Sequence, residues 1–184
     1  FSKNIGIDLG TANSLVYVAG QGIVINEPSV VAVNAKTGQI LAVGHEARKM
    51  VGRTPNHINV VRPLTNGIIS DFDMPQEMLR HFVKRIGKTG FALNYRRAVI
   101  GMPSNLTEVE RKSVEDAVIG AGVNKAYIIE EPVAAALGAR LPIDEPTANM
   151  IVDIGGGTTE IAIISMGGTV NARSLKIAGD KLNE

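Results

Sequence analysis

The stretch IVDIGGGTTEIAII, residues 151–164, places three glycines and two threonines between two apolar runs, with Asp153 just before the glycines. Two apolar runs joined by a short glycine-rich turn are typical of a β-hairpin. Glycine allows positive φ in the turn and lets a ligand approach the backbone closely. Successive backbone N–H groups in such a turn bind anions, chiefly phosphate. The stretch therefore predicts a phosphate-binding hairpin beside an acid.

The beginning of the chain repeats this arrangement. The stretch IGIDLGTANSLVYV, residues 5–18, again runs from an apolar strand through an aspartate, Asp8, and a small polar turn to a second apolar strand. An ordinary glycine-rich hairpin remains the alternative for either stretch alone, but the matched pair favours two loops that hold a nucleotide's phosphates from both sides. Side chains in the two turns add possible hydrogen-bond donors, namely Thr11, Asn13, Ser14, Thr158 and Thr159.

The two aspartates predict a metal ion. An acid beside a phosphate is repulsive unless a cation lies between them, and Mg²⁺ commonly combines carboxylate ligands, phosphate oxygens and its own waters. We therefore expect Asp8 and Asp153 to organise Mg²⁺, partly through bound water.

The stretch IIEEP, residues 128–132, supplies a candidate catalytic acid. Two carboxylates follow a predicted strand and open a predicted helix, and α/β folds commonly present functional groups at such a junction. Hydrolysis of a phosphoanhydride needs a group that positions or deprotonates water. Glu131, next to Pro132, is the preferred candidate over Glu130. The alternative is an acid that only complements the helix dipole.

Composition excludes several classes of function. Lysine and arginine number 19 and aspartate and glutamate 18, so the net charge of +1 gives no general attraction to nucleic acid. The chain has no cysteine, which excludes disulfides and thiolate metal sites and favours a reducing compartment. No apolar run approaches the roughly 20 residues of a membrane span, and no signal peptide is visible.

Strand and helix patterns alternate along the rest of the chain, which indicates an α/β fold. Asp73 opens a predicted helix whose apolar residues form one stripe: Met78, Leu79, Phe82, Val83 and Ile86. Thr107 and Glu110 form a capping box that predicts a second helix, ending near Gly120.

These motifs resemble the ATPase superfamily of actin, the heat-shock chaperones and the sugar kinases. GIDLGTANSLVYV is similar to its first phosphate loop, DIGGGTTE to its second, and IEEPVAAALG to the stretch between them. GIVINEPSVVAV, VGHEARKMVGRTP and RPLTNGIISDF resemble the MreB family of bacterial actin homologues in particular. The resemblance covers essentially the whole chain.

The resemblance implies an actin-like, ribonuclease H-like fold. Residues 1–32 and 64–147 would form the first large subdomain, residues 33–63 a small inserted subdomain, and residues 148–184 the opening strands of a second domain. The superfamily's adenosine-binding glycine motif lies further downstream and is not found here. We therefore expect a partial chain that does not complete an ATP site by itself.

The resemblance also implies a role for each site residue. Asp8 and Asp153 would organise Mg²⁺, and Glu131 would act on the attacking water. The phosphates of ATP would be held by two groups of residues: Gly10, Thr11, Ala12 and Asn13, and Gly155, Gly156, Gly157, Thr158 and Thr159.

At the level of function, the resemblance implies a cytoplasmic ATPase that polymerises into filaments on the inner face of the cell membrane, maintains rod shape and guides the cell-wall elongation machinery. A sugar or acetate kinase and a chaperone-type ATPase of the same superfamily are the alternatives. The small inserted subdomain, which has no identifiable substrate-binding acid, favours the filament.

A membrane-binding loop is predicted in KRIGKTGFALNYRR, residues 84–97. Phe91, Leu93 and Tyr95 alternate there between basic residues, a pattern that suits shallow insertion into an anionic membrane. The alternative is that the loop folds back and buries these side chains. The MreB family resembles this chain in placing a membrane loop here, although the family carries a Phe-like residue at the position of Asn94.

Overall fold

The computed structural model of the chain describes residues 3–65, 68–69, 73–87, 95–104 and 106–183. Its strands are β1 (Asn4–Leu9), β2 (Asn13–Val18), β3 (Gly22–Pro28), β4 (Val31–Asn34), β5 (Ile40–Val43), β6 (Ile58–Val61), β7 (Leu64–Thr65), β8 (Ile68–Ile69), β9 (Arg97–Met102), β10 (Ala126–Glu130), β11 (Asn149–Ile154), β12 (Thr159–Ser165) and β13 (Gly168–Leu175). Its helices are α1 (His45–Lys49), α2 (Asp73–Gly87), α3 (Glu108–Gly120), α4 (Glu131–Gly138) and α5 (Gly179–Leu182).

A five-stranded sheet with the order β10-β9-β1-β2-β3 forms the centre of the molecule. Strands β1, β2 and β3 are antiparallel neighbours, whereas β9 runs parallel to both β1 and β10. The parallel strands β9 and β10 are connected through α3, which is the usual connection between parallel neighbours. Because these three strands run parallel, the carboxyl ends of β1, β9 and β10 lie at the same edge of the sheet.

Helices α2 and α3 supply the main hydrophobic core. The predicted apolar stripe of α2 is confirmed, because all five of its residues are buried with side chains from β1, β2 and β9. The Thr107 side chain accepts a hydrogen bond from the backbone N–H of Glu110, and the Glu110 side chain accepts one from the backbone N–H of Thr107. This capping box confirms the predicted start of α3.

A small three-stranded sheet, β5-β4-β6, with helix α1 beside it, occupies residues 31–61. Strand β4 pairs antiparallel with β5 across the turn AKTG, residues 35–38. The buried carboxylate of Glu27 connects this unit to α2, because it accepts hydrogen bonds from the backbone N–H of His45 and from the Arg85 guanidinium.

The C-terminal strands form a third sheet in the order β11-β12-β13. Helix α4 packs against its inner face through Ala136, which is buried with Ile143, Ala162 and Ile164. The proposed boundaries at residues 33, 64 and 148 stay a prediction. Helix α4, which those boundaries assign to the first large subdomain, packs on the sheet of the following one.

The predicted membrane loop falls largely outside the described residues, since Phe91 and Leu93 are not among them. Tyr95 is described, and its proposed role as an inserting residue is wrong. Its side chain is only 3% exposed, lies in the main core and pairs across a short parallel bridge with Val123. Burial also raises the pKa of the Tyr95 hydroxyl. A side chain packed in this way cannot reach a lipid surface.

Within the described residues, no helix combines the length and the apolar character that crossing a membrane requires.

Candidate functional site

The first glycine hairpin joins β1 to β2 in antiparallel register, with Asp8 near the end of β1. A Cβ atom at Gly10 would lie 2.7 Å from the carbonyl oxygen of Asn13, so only glycine fits this turn without a shift of the backbone. The absence of a side chain at Gly10 is therefore what allows the turn to close tightly.

Ser14 supports this turn from behind. The Ser29 hydroxyl donates to the carbonyl of Gly10, and the Ser14 and Ser29 hydroxyl oxygens lie 2.8 Å apart. Since the Ser29 proton is used on Gly10, the Ser14 hydroxyl donates to Ser29. Ser14 is also fully buried, so its assignment as a ligand donor is wrong.

The second hairpin joins β11 to β12, with Asp153 near the end of β11. The backbone N–H of Gly155 donates to the carbonyl of Thr158 at 2.9 Å and closes the turn. The start of α5 holds the turn from outside, because the N–H groups of Gly179 and Asp180 donate to the carbonyls of Gly155 and Gly156 at 3.0 and 2.8 Å.

Two predicted phosphate-binding residues of the second hairpin contact other parts of the protein. Gly157 is buried, and the Thr159 hydroxyl donates to the carbonyl of Ile177 at 2.7 Å. Neither residue lines the cavity between the hairpins. The Thr159 hydroxyl thus bonds to the segment that follows β13, which corrects its prediction as a ligand donor.

A cavity of about 950 Å³ lies between the two hairpins. This volume is at the upper end of the range typical of small-molecule sites, about 300–1,000 Å³. Seven of the nine predicted phosphate-binding residues line it: Gly10, Thr11, Ala12, Asn13, Gly155, Gly156 and Thr158. Asp8, Asp153 and Glu131 line it as well, so the tertiary structure brings the three predicted motifs together.

Negative charge is concentrated on one side of this cavity. Burial raises the pKa of Glu131 to about 8, and the carboxylates of Glu160, Asp8 and Asp153 add to the shift in that order. Burial raises the pKa of Asp8 too, with a further contribution from Asp153. These shifts show that the carboxylates repel one another through the protein.

Glu160 is an acidic residue near the site that was not among the residues predicted from the sequence. This residue lies directly across the β11–β12 pair from Asp153, so the two side chains share a face of the sheet. Glu160 is only 5% exposed, and its Oε2 atom has no hydrogen-bond partner among the described residues. Burial and then the Asp153 and Glu130 carboxylates raise its pKa, whereas the backbone N–H of Ser104 lowers it. Strand alternation from Asp153 through the turn could have predicted this inward position.

The site residues fit a divalent cation held through water. The charge of Asp153 contributes to the raised pKa values of Asp8 and Glu131, a repulsion that a nearby cation would relieve, and Asp8 and Asp153 both line the cavity. Among the described residues, no group of three or more acidic or histidine side chains is close enough to ligate a metal ion by itself. Water and phosphate oxygens would therefore have to complete the coordination shell.

Comparison with known proteins gives a consistent family assignment. The model of the MreB/Mbl protein family matches residues 2–184. The chain is 51% identical over 183 residues to the cell shape-determining protein Mbl of Bacillus subtilis (strain 168), covering 100% of this chain and 55% of that protein. It is 47% identical over 188 residues to the cell shape-determining protein MreB of Escherichia coli (strain K12), covering 100% and 54%. The chain thus spans about half the length of these relatives.

Solved structures agree in fold. The MreB5 protein of Spiroplasma citri bound to ADP is similar with a TM-score of 0.85 and 42% identity, over 99% of this chain and 54% of that one. The same protein bound to AMPPNP gives a TM-score of 0.83. A MamK double helical filament gives 0.76 at 26% identity, over 98% of this chain and 56% of that one. The predicted α/β, actin-like fold is confirmed, and the chain belongs to the MreB/Mbl family.

Proposed function

We propose that this chain is the phosphate-binding part of an ATPase that assembles into actin-like filaments. The main observation behind this proposal is that residues of both glycine hairpins and Glu131 line the same cavity. MreB5 of Spiroplasma citri, a structural neighbour, was solved bound to ADP and to AMPPNP, which supports an adenine nucleotide as the ligand.

The two hairpins would bind the nucleotide's phosphates through their backbone N–H groups and the Thr11 and Thr158 hydroxyls. The acids Asp8 and Asp153 would hold Mg²⁺ through water. A magnesium ion bound there supplies positive charge that offsets the phosphates and the two aspartates.

Glu131 would orient the attacking water and accept its proton. Only the ionised carboxylate can accept a proton, and neutralising the charges of Asp8 and Asp153 lowers the pKa of Glu131 because both raise it. A cation bound near the two aspartates would therefore favour the ionised form of Glu131, which can accept a proton.

Self-association is the second part of the proposal. A neighbour of the same fold was solved as a double helical filament, and the relatives from Bacillus subtilis and Escherichia coli carry the description cell shape-determining. We infer that ATP binding favours filament assembly and that hydrolysis alters it. These names favour the filament over the kinase and the chaperone alternatives.

Membrane association completes the proposal. Exposed basic residues flank the undescribed segment that contains Phe91 and Leu93, namely Lys84, Arg85, Arg96 and Arg97. Basic residues near an anionic surface contribute about 1 kcal/mol each, and the two apolar side chains would add shallow insertion. Arg85 is already bonded to Glu27. The filaments would lie on the inner face of the membrane, where they could guide cell-wall synthesis.

The test uses the full-length protein, meaning this chain extended to the length of its relatives. We expect it to release phosphate from ATP and to sediment as polymer with ATP or AMPPNP, but not without nucleotide. Hydrolysis without any polymer would favour the kinase or chaperone alternative, and failure to bind ATP would refute the nucleotide site itself.

A further inference from the structure

We propose that Glu130 is a positioning residue, which directs Glu131 into the cavity by anchoring the junction of β10 and α4 to strand β13 through Thr169. The inference rests on the proposed function, because it assigns a role in the same hydrolysis. From the sequence, Glu131 was preferred over Glu130 as the catalytic acid, and Glu130 was given no role.

Both oxygens of the Glu130 carboxylate have a partner. The Thr169 hydroxyl donates to Oε2 at 2.7 Å, and a guanidinium nitrogen of Arg111 lies 3.9 Å from Oε1. Thr169 lies on β13, in the sheet that carries the second glycine hairpin, whereas Arg111 lies on α3, beside the central sheet. Glu130 thus connects the two sheets that carry the two hairpins.

The geometry of the junction transmits this contact to Glu131. Glu130 is the last residue of β10, and Glu131 is the first residue of α4. Consecutive side chains at the end of a strand point to opposite sides, and here Glu131 lines the cavity while Glu130 contacts Thr169. Fixing the direction of Glu130 therefore fixes the direction of its neighbour.

Cohesion of the two sheets does not depend on this hydrogen bond. Helix α4 already packs on the inner face of β12 through Ala136 and Val133, which contact the cluster around Ala162 and Ile164. The Glu130–Thr169 bond is polar, directional and half-buried, so it adds orientation to an interface that apolar packing already holds. A shift of about 1 Å in a catalytic group can reduce a rate about 10²-fold.

The experiment compares three variants of the full-length protein by steady-state ATP hydrolysis and by calorimetric binding of AMPPNP. Thr169→Val keeps the shape of the side chain but removes the hydroxyl donor, and we expect kcat to fall at least about tenfold with the nucleotide Kd within about twofold of wild type. Thr169→Ser restores the donor and should restore kcat. Thr147→Val is the matched control. Thr147 is exposed and takes no part in the contact between Glu130 and Thr169, so this variant should behave as wild type.

Glu130→Gln provides a second test that does not alter Thr169. Its amide oxygen can still accept from the Thr169 hydroxyl, so we expect it to retain more activity than Glu130→Ala. Combining Glu130→Ala with Thr169→Val should cost no more than Glu130→Ala alone, because that change already removes the contact with Thr169.

A hydrolysing wild type whose Thr169→Val variant keeps full kcat would overturn this inference and leave the proposed function intact. So would equal losses of kcat and affinity that Thr169→Ser does not restore, since these indicate a structural role only. A wild type that binds no ATP would overturn the proposed function instead.

Discussion

Ala12 and Gly156 bring the two glycine hairpins into contact: a Cβ atom at Gly156 would lie 2.9 Å from the Cβ of Ala12 and 3.5 Å from its backbone nitrogen. The two turns are 144 positions apart in the chain, as Ala12 and Gly156 are numbered. The two hairpins can approach this closely because Gly156 has no side chain, and both residues line the cavity.

Gly156→Ala should therefore separate the hairpins. Overpacking of this kind commonly costs about 1–3 kcal/mol. If about 1.4 kcal/mol of this cost weakens the binding free energy of ATP, the ATP affinity falls about tenfold. Calorimetric titration of the full-length protein with AMPPNP measures this. Gly168→Ala is the control, because a Cβ there meets nothing within 4 Å. Equal affinities for the two variants would contradict the contact.

Glu131→Gln should separate binding from catalysis. The amide keeps the size of the side chain but cannot accept a proton, so hydrolysis should fall by about 10²-fold or more while AMPPNP affinity changes little. Phosphate release under single-turnover conditions measures the chemical step. Wild-type release by this variant would exclude Glu131 from the mechanism.

The raised pKa of Glu131 predicts a dependence of stability on pH in the protein free of nucleotide and metal. Its pKa rises from an ordinary 4.5 to about 8, mainly through burial. The folded state therefore holds a proton that the unfolded state has lost, and this stabilisation, complete below about pH 4.5, disappears as the pH rises towards 8.

We expect the midpoint temperature of unfolding of the wild type to be higher at pH 6 than at pH 8.5. Titration of Glu131 should lower the free energy of unfolding by up to about 1.4 kcal/mol per pH unit in this range. Glu131→Gln should reduce the slope, because the amide does not titrate in this range. Thermal unfolding monitored by circular dichroism checks this. An unchanged slope would show that Glu131 is ionised at neutral pH.

Gly44→Ala should destabilise the link between the small sheet and α2. Gly44 has a φ of 68°, and a Cβ atom there would lie 1.8 Å from Oε2 of Glu27. Gly52 is a control for the positive φ, because its φ is 69° and a Cβ atom there would meet nothing within 4 Å. Gly52→Ala should cost about 1–2 kcal/mol, and Gly44→Ala a further 1–3 kcal/mol or so from the clash. Urea denaturation of the two variants should therefore differ, and equal midpoints would refute the steric account.

The double substitution Phe91→Ser and Leu93→Ser should release filaments from anionic liposomes while leaving ATP hydrolysis intact. Burying an apolar side chain contributes about 25 cal/mol per Å², so the anchor of one subunit is weak and a filament binds through many of them. Liposome co-flotation measures this. Tyr95→Ser should instead lower stability, because its ring lies in the core. Co-flotation of the double variant at the wild-type level would show that these two residues are not the anchor.

Local sequence determined the elements from which the site is built. The glycine turns, the capping box at Thr107 and the apolar stripe of α2 each depend on residues within a few positions of one another, and the structure confirms them. The position of Asp8 and Asp153 beside the two turns followed from the same short-range pattern.

Tertiary structure alone decided where several polar and aromatic side chains point. Ser14 and Thr159 look like ligand donors in sequence, yet their hydroxyls bond to Ser29 and to the carbonyl of Ile177. Tyr95 looks like a loop tip but is buried against Val123. Glu160 gains its electrostatic role only because strand pairing and the α4 junction bring it near Asp153 and Glu131. A sequence pattern encodes the period of an element, whereas the partner of a hydroxyl or a carboxylate depends on contacts between residues that are distant in the chain.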